Sequence, residues 1–130
     1  MGVLKVRLVK ASNLEDADYI GKTDPYVRLE LEQDTNLGDI DYGYKNSSTK
    51  SNDCNPVWNQ DFEFTIPTLD KMVLRLIVYD ADIATPDDKC GECKIKLEDK
   101  GITSSPKRIE NAISRKRPDS TIVVDVSYSM

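Results

Sequence analysis

The sequence predicts an all-β protein, an antiparallel β-sandwich with one short helix before the last strand. Three observations carry that expectation. Apolar and polar residues alternate with a period of two in run after run, which is the pattern of strands with one buried face. Clusters of Gly, Pro, Asn, Asp and Ser separate the runs, and many short strands with turn signals between them mean an antiparallel sandwich. One segment alone repeats at helical spacing. At 130 residues the chain has the size of one domain with a core of its own, so a single domain over residues 1–130 is expected.

The elements follow in order. Leu4, Val6 and Leu8 alternate with Lys5 and Arg7, and Val27, Leu29 and Leu31 alternate with Arg28, Glu30 and Glu32. Both read as half-buried strands. A long acidic connection from Gln33 to Tyr42 leads to Tyr44–Lys50, a more polar strand suited to a sheet edge, where charge deters further pairing. Trp58, Phe62, Phe64 and Ile66 mark the next strand, then Leu74, Leu76 and Val78, then Cys93, Ile95 and Leu97. Ile122, Val124, Val126 and Tyr128 mark the last. The exception is Ser104-Ser105-Pro106, a cap and a proline fit for a first helical turn, with Ile109, Ala112 and Ile113 at helical spacing behind it. That helix should pack beside the last strand. Lys107, Arg108, Arg115, Lys116 and Arg117 make the segment basic, either to meet lipid phosphates or, more simply, to balance an acidic protein.

A charged fraction of 32%, a hydrophobic fraction of 38% and a net charge of -5 describe a soluble globular protein rather than a disordered one. The acidic balance argues against a nucleic-acid partner. It argues equally against unaided binding to an anionic membrane, unless a bound cation reverses the local charge. No apolar run approaches the roughly 20 residues that span a bilayer, and Met1-Gly2-Val3-Leu4-Lys5-Val6 is too short and polar for a signal peptide, so a cytoplasmic location is expected. Val6 stands where a myristoylation motif wants Ser or Thr, which discounts that reading of Gly2. Three cysteines and no histidine make neither a disulfide framework nor a tetrahedral zinc site, and Cys93 alternates with Ile95 and Leu97 as a small core residue.

Five aspartates in two short segments carry the chemistry: Asp18 and Asp24, then Asp80, Asp82 and Asp88. A calcium ion takes about six to eight oxygen ligands, so several carboxylates and carbonyls must converge from flexible backbone. In the first segment Gly21 lets the loop fold back and Pro25 stiffens the exit into a strand. In the second an apolar strand runs straight into Asp80, and Asp82 points to the same side by the two-residue period. The helix-loop-helix calcium motif is excluded, because counting from Asp80 its required Gly and Glu positions are Thr85 and Gly91. Either acidic segment alone would read as a solvated turn. Two that can meet at one end of a sandwich read as a site.

The run Lys22–Val27, the turn Asn55-Pro56-Val57-Trp58-Asn59, the strand end Val78-Tyr79-Asp80-Ala81-Asp82 and the step Gly91-Glu92 resemble, in order and spacing, the C2 domain, a calcium- and phospholipid-binding β-sandwich. The resemblance covers almost the whole chain and implies eight strands. Because the chain opens on the strand before the first calcium loop and supplies a strand at its far end, it resembles the circularly permuted, type II form. All five calcium-ligand positions of the family hold Asp here, which implies the calcium-dependent branch, with main-chain oxygens of Tyr19, Ala81 and Pro86 as carbonyl ligands and Thr85 as an oxygen for an additional ion. Asp87 is a weaker ligand, pointing away from Asp88 in an extended chain. Lys45 and Lys50 are a thin version of the lysine-rich strand that binds phosphoinositides in some members.

The function this implies is calcium-dependent docking on an anionic phospholipid membrane. Without metal, five converging carboxylates repel one another and the membrane; two or three Ca²⁺ would add roughly +4 to +6 and reverse the sign. Tyr19, Ile20, Ile83 and Ala84 at the loop tips are placed to enter the interface, so recruitment would be peripheral. With no histidine, nucleophile elbow or phosphate-cradling glycine loop, an enzyme is not expected. The alternative is a scaffold or tether that holds a protein partner, with calcium only stabilising the loops.

Overall fold

The computed structural model describes residues 1–14, 23–81, 86–113 and 119–130. Eight strands, β1 (Gly2–Ser12), β2 (Pro25–Gln33), β3 (Ile40–Asn46), β4 (Val57–Ile66), β5 (Met72–Asp80), β6 (Asp88–Lys96), β7 (Lys107–Ala112) and β8 (Thr121–Ser129), form two four-stranded sheets. Their orders are β4-β1-β8-β7 and β3-β2-β5-β6, with every pairing antiparallel. The last strand lies directly beside the first, and β1 leads straight into the first loop, which is the permuted arrangement the motifs imply.

The alternation puts Leu4, Val6 and Leu8 of β1 against Leu29, Leu31, Leu74 and Leu76 of the facing sheet, all at 1% exposure or less. Each contributes about 1.5–3 kcal/mol of apolar burial, before the cost of ordering the chain. Phe62, Phe64 and Ile66 extend this core along β4, and Val124 and Val126 along β8. Trp58 is buried at the start of β4, where its indole N–H donates to the Ser48 carbonyl at 2.8 Å and so anchors the β3–β4 loop.

The segment expected to be a helix is a strand. Lys107–Ala112 is β7, paired with β8 from Lys107↔Val126 to Ala112↔Thr121. The misreading has a physical source: Ile109 and Ile113 are four residues apart, a separation that satisfies both the helical repeat and two strand repeats. Both are buried and Ala112 between them is exposed, which is the strand outcome. Among the described residues the only helical turn is a 3₁₀ turn at Leu97–Asp99. The polar edge strand also sits earlier than expected, at Ile40–Asn46, with residues 47–50 in the following loop.

At the other side of the sandwich the sheet edges β6 and β7 close on each other. Glu92 N–H donates to the Ile113 carbonyl at 2.9 Å. Gly91 permits the approach, since a Cβ there would lie 2.4 Å from the same carbonyl oxygen. The Gly91-Glu92 step is therefore a seam between sheets.

Candidate cation and membrane site

Three of the five predicted carboxylates come together on neighbouring strand ends. Asp80 is the last residue of β5, where it lies in register with Pro25 on one side and Asp88 on the other. Asp24 immediately precedes β2, and its backbone N–H donates to Asp80 Oδ1 at 2.9 Å. Ala81 N–H returns a bond to the Asp24 carbonyl at 3.0 Å, so the exit of the first loop and the entry of the third are laced together. Asp88 opens β6 and is exposed. Asp18, Tyr19, Ile20, Asp82, Ile83, Ala84 and Thr85 lie outside the described residues.

The middle loop, residues 47–56, holds this arrangement, and the sequence reading missed its part. Asn52 N–H donates to Asp24 Oδ1 at 2.8 Å, and Asp53 N–H donates to the Thr23 carbonyl at 2.9 Å. Leu14 N–H reaches the Cys54 carbonyl at 2.9 Å, and Asn13 N–H reaches Asn55 Oδ1 at 2.8 Å. The middle loop thus clamps both ends of the first. Asn13 and Asn52 take left-handed backbone, with φ of 56° and 51°, a conformation Asn tolerates better than other side-chain-bearing residues. Asn at those corners was the available signal.

The donor set suits a hard divalent cation. Asp24 and Asp80 each commit one oxygen to a backbone N–H, and the second oxygen of each makes no hydrogen bond to the described residues. These are rigidly aimed carboxylates at strand ends, the oxygen chemistry Ca²⁺ takes. Asp87 is engaged otherwise, its Oδ2 accepting from the Tyr26 hydroxyl at 2.5 Å, while Tyr26 stacks on Tyr79 with ring centroids 5.5 Å apart. Partial burial, and then the bond to Asp87, push the Tyr26 hydroxyl up to about 12. The aromatic pair braces β2 against β5 just below the site.

A second acidic group lies elsewhere. Carboxylate oxygens of Glu32, Asp34 and Asp39 approach within 4.8 Å of one another at the other end of β2. At about 3.3 Å per residue that is roughly 30 Å from Asp24. It is no part of the site the two loops build. Of the predicted lysines, Lys45 is exposed on β3 with its ammonium 5.6 Å from the Phe64 ring centroid, and Lys50 lies in the middle loop, its N–H bonded to the Pro25 carbonyl. The two lie on different elements.

The cysteines fit a structural role. Cys93 packs against the core, and burial pushes its thiol up to about 11, leaving it protonated at neutral pH. Cys54 and Cys90 are half-buried against the same core, and none of the three forms a disulfide.

Comparison with known proteins decides the lineage. The sequence profile of the C2 domain matches residues 2–113. The chain belongs to the C2 domain family. This C2 domain is 35% identical over 99 residues to synaptotagmin-2 of Arabidopsis thaliana, covering 76% of the chain but 17% of that relative. It is 31% identical over 128 residues to the 16 kDa phloem protein 2 of the same plant, covering 98% of the chain and 81% of the relative. Its fold superposes on a C2 domain of plant extended synaptotagmin 1 with a TM-score of 0.85 at 24% identity, over 98% of this chain and 94% of that one. The C2 domain therefore spans about a sixth of the plant synaptotagmin it matches. Among the described residues, no helix is long and apolar enough to cross a membrane.

Proposed function

We propose that this C2 domain is a calcium-switched module that docks peripherally on anionic phospholipid membranes from the cytoplasm. The observation that carries the reading is the interlock of Asp24, Asp80 and Asp88 on three adjacent strand ends, clamped by the middle loop. Asp18 and Asp82 would complete the carboxylate set, with carbonyl oxygens of Tyr19, Ala81 and Pro86 and an oxygen of Thr85. Bound Ca²⁺ supplies positive charge that offsets these carboxylates and is shared with lipid phosphate. Strand-end placement fixes Asp24, Asp80 and Asp88 before any ion arrives, which lowers the ordering cost of binding. Tyr19, Ile20, Ile83 and Ala84 would then enter the headgroup region, and Lys45 and Lys50 would supply a weak further contact with phosphate. On this reading the module binds and does not catalyse.

The Asp24→Asn and Asp82→Asn variants test it by calorimetric calcium titration. Asn at 24 keeps an oxygen for the Asn52 N–H, so the fold should persist while calcium affinity falls at least tenfold. Calcium should also raise the thermal midpoint of the wild type and not of the variants, since it binds the folded state. Unchanged affinity in both variants would remove the calcium assignment.

A further inference from the structure

The outer face of sheet β3-β2-β5-β6 is a chain of matched charges that stops short of its last lysines. Arg28 lies over the Tyr44 ring at 3.7 Å and pairs with Glu30, which pairs with Arg75, which pairs with Glu92 at 2.6 Å. Lys89 takes the other oxygen of Glu92. Lys94 and Lys96 lie beyond this chain of pairs, Lys96 sharing a smaller pocket with Asp34, Lys71 and Glu98. Among the described residues neither forms an ion pair, and Lys94 stands directly opposite Arg75, a like-charge cross-strand pair that costs stability.

These lysines, with Lys100, rim an open groove of about 520 Å³ where β6 and β7 meet, floored by Cys93 and Asn111. Asp99 is the one acidic residue of its lining. Lys107 turns its ammonium to the Lys100 carbonyl at 2.5 Å, which adds a fourth positive charge beside the rim. On a chain of net charge -5 this is a concentration of the opposite sign, on the opposite edge of the sheet from Lys45 on β3 and away from Lys50 in the middle loop.

We propose that this groove is a second, calcium-independent contact for the phosphate headgroups of an anionic bilayer. The proposal rests on the membrane reading above, and charge complementarity selects the partner. Lys94 and Lys96 lie six and eight residues beyond Asp88 along β6, so at about 3.3 Å per residue they reach roughly 20–26 Å from the calcium end. The domain would lie along its β6–β7 edge, with aspartates at one end of the footprint and lysines toward the other. Each lysine near an anionic surface strengthens binding about fivefold.

The test is partitioning onto phosphatidylcholine vesicles containing phosphatidylserine, with saturating calcium and with chelator, at low salt. The Lys94→Ala, Lys96→Ala, Lys100→Ala triple variant should lose tenfold or more in both conditions, while its lipid-free calcium affinity stays put and its thermal midpoint does not fall. A control triple variant at Lys5, Arg7 and Lys10, all on β1 in the other sheet and of the same net charge, should lose far less. Equal losses in the two triple variants, or wild-type partitioning by the groove variant, would overturn the groove. Partitioning that ignores calcium yet falls in the groove variant alone would uphold the groove and overturn the calcium switch instead.

Discussion

Glu92 shows how much a single side chain can carry in this domain. It joins Arg75 to Lys89 across the outer face and lends its N–H to the seam with Ile113. The Arg75 hydrogen bond, then that of Lys89, holds its carboxyl down at about 2, against an ordinary value of 4.5. A carboxylate depressed on folding adds stability that is present above its unfolded value and lost as pH falls toward the folded one. Urea midpoints should therefore drop between about pH 5 and about pH 2.5, and an Arg75→Met variant should show a shallower drop over that window. Parallel slopes for the two proteins would mean that Glu92 adds nothing. The gathering of Asp24, Asp80 and Asp88 was legible for a local reason: Asp at strand ends, beside Gly and Pro, is an unusual combination. Asn52 and Asp53 were read past, because their role is a backbone bond to a loop distant in sequence, which leaves no periodic trace and only the Asn of a left-handed corner as a signal.

Among the elements, the strands were legible wherever one face is core and the other solvent. β1, β2 and β4 show that alternation, whereas β5 and β8 were legible from their inward residues although Val73, Ile77 and Val123 on the other faces are buried too. β7 was not, because six residues with one buried isoleucine underdetermine the period, and the neighbouring Ser-Ser-Pro is as good a strand entry as a helix cap. β3 was displaced for the same reason, having no fully buried residue to fix its register. The seam between β6 and β7 is the element-scale feature most open to test. In Gly91→Ala the new methyl would meet the Ile113 carbonyl oxygen at 2.4 Å and the carbonyl carbon at 3.1 Å, backbone atoms that have little room to give. The expected cost is about 1–3 kcal/mol in denaturant unfolding, with the lipid-free calcium affinity unchanged. Wild-type stability would show that the edges do not meet as described.

For the whole molecule, the two-sheet architecture was legible from patterning alone, whereas the function rests on which ends of the strands are charged. Carboxylates gather where β2, β5 and β6 meet the first and third loops, and lysines gather at the far part of β6. A domain of net charge -5 built this way should bind an anionic surface strongly only when the carboxylate end is neutralised. Sedimentation of the wild-type domain with phosphatidylserine-containing vesicles, at about 0.15 M salt where surface attraction between distant charges is screened, asks that question most directly. The account predicts that the protein pellets with the vesicles in calcium and stays largely in the supernatant with chelator. Equal pelleting in the two conditions would contradict it.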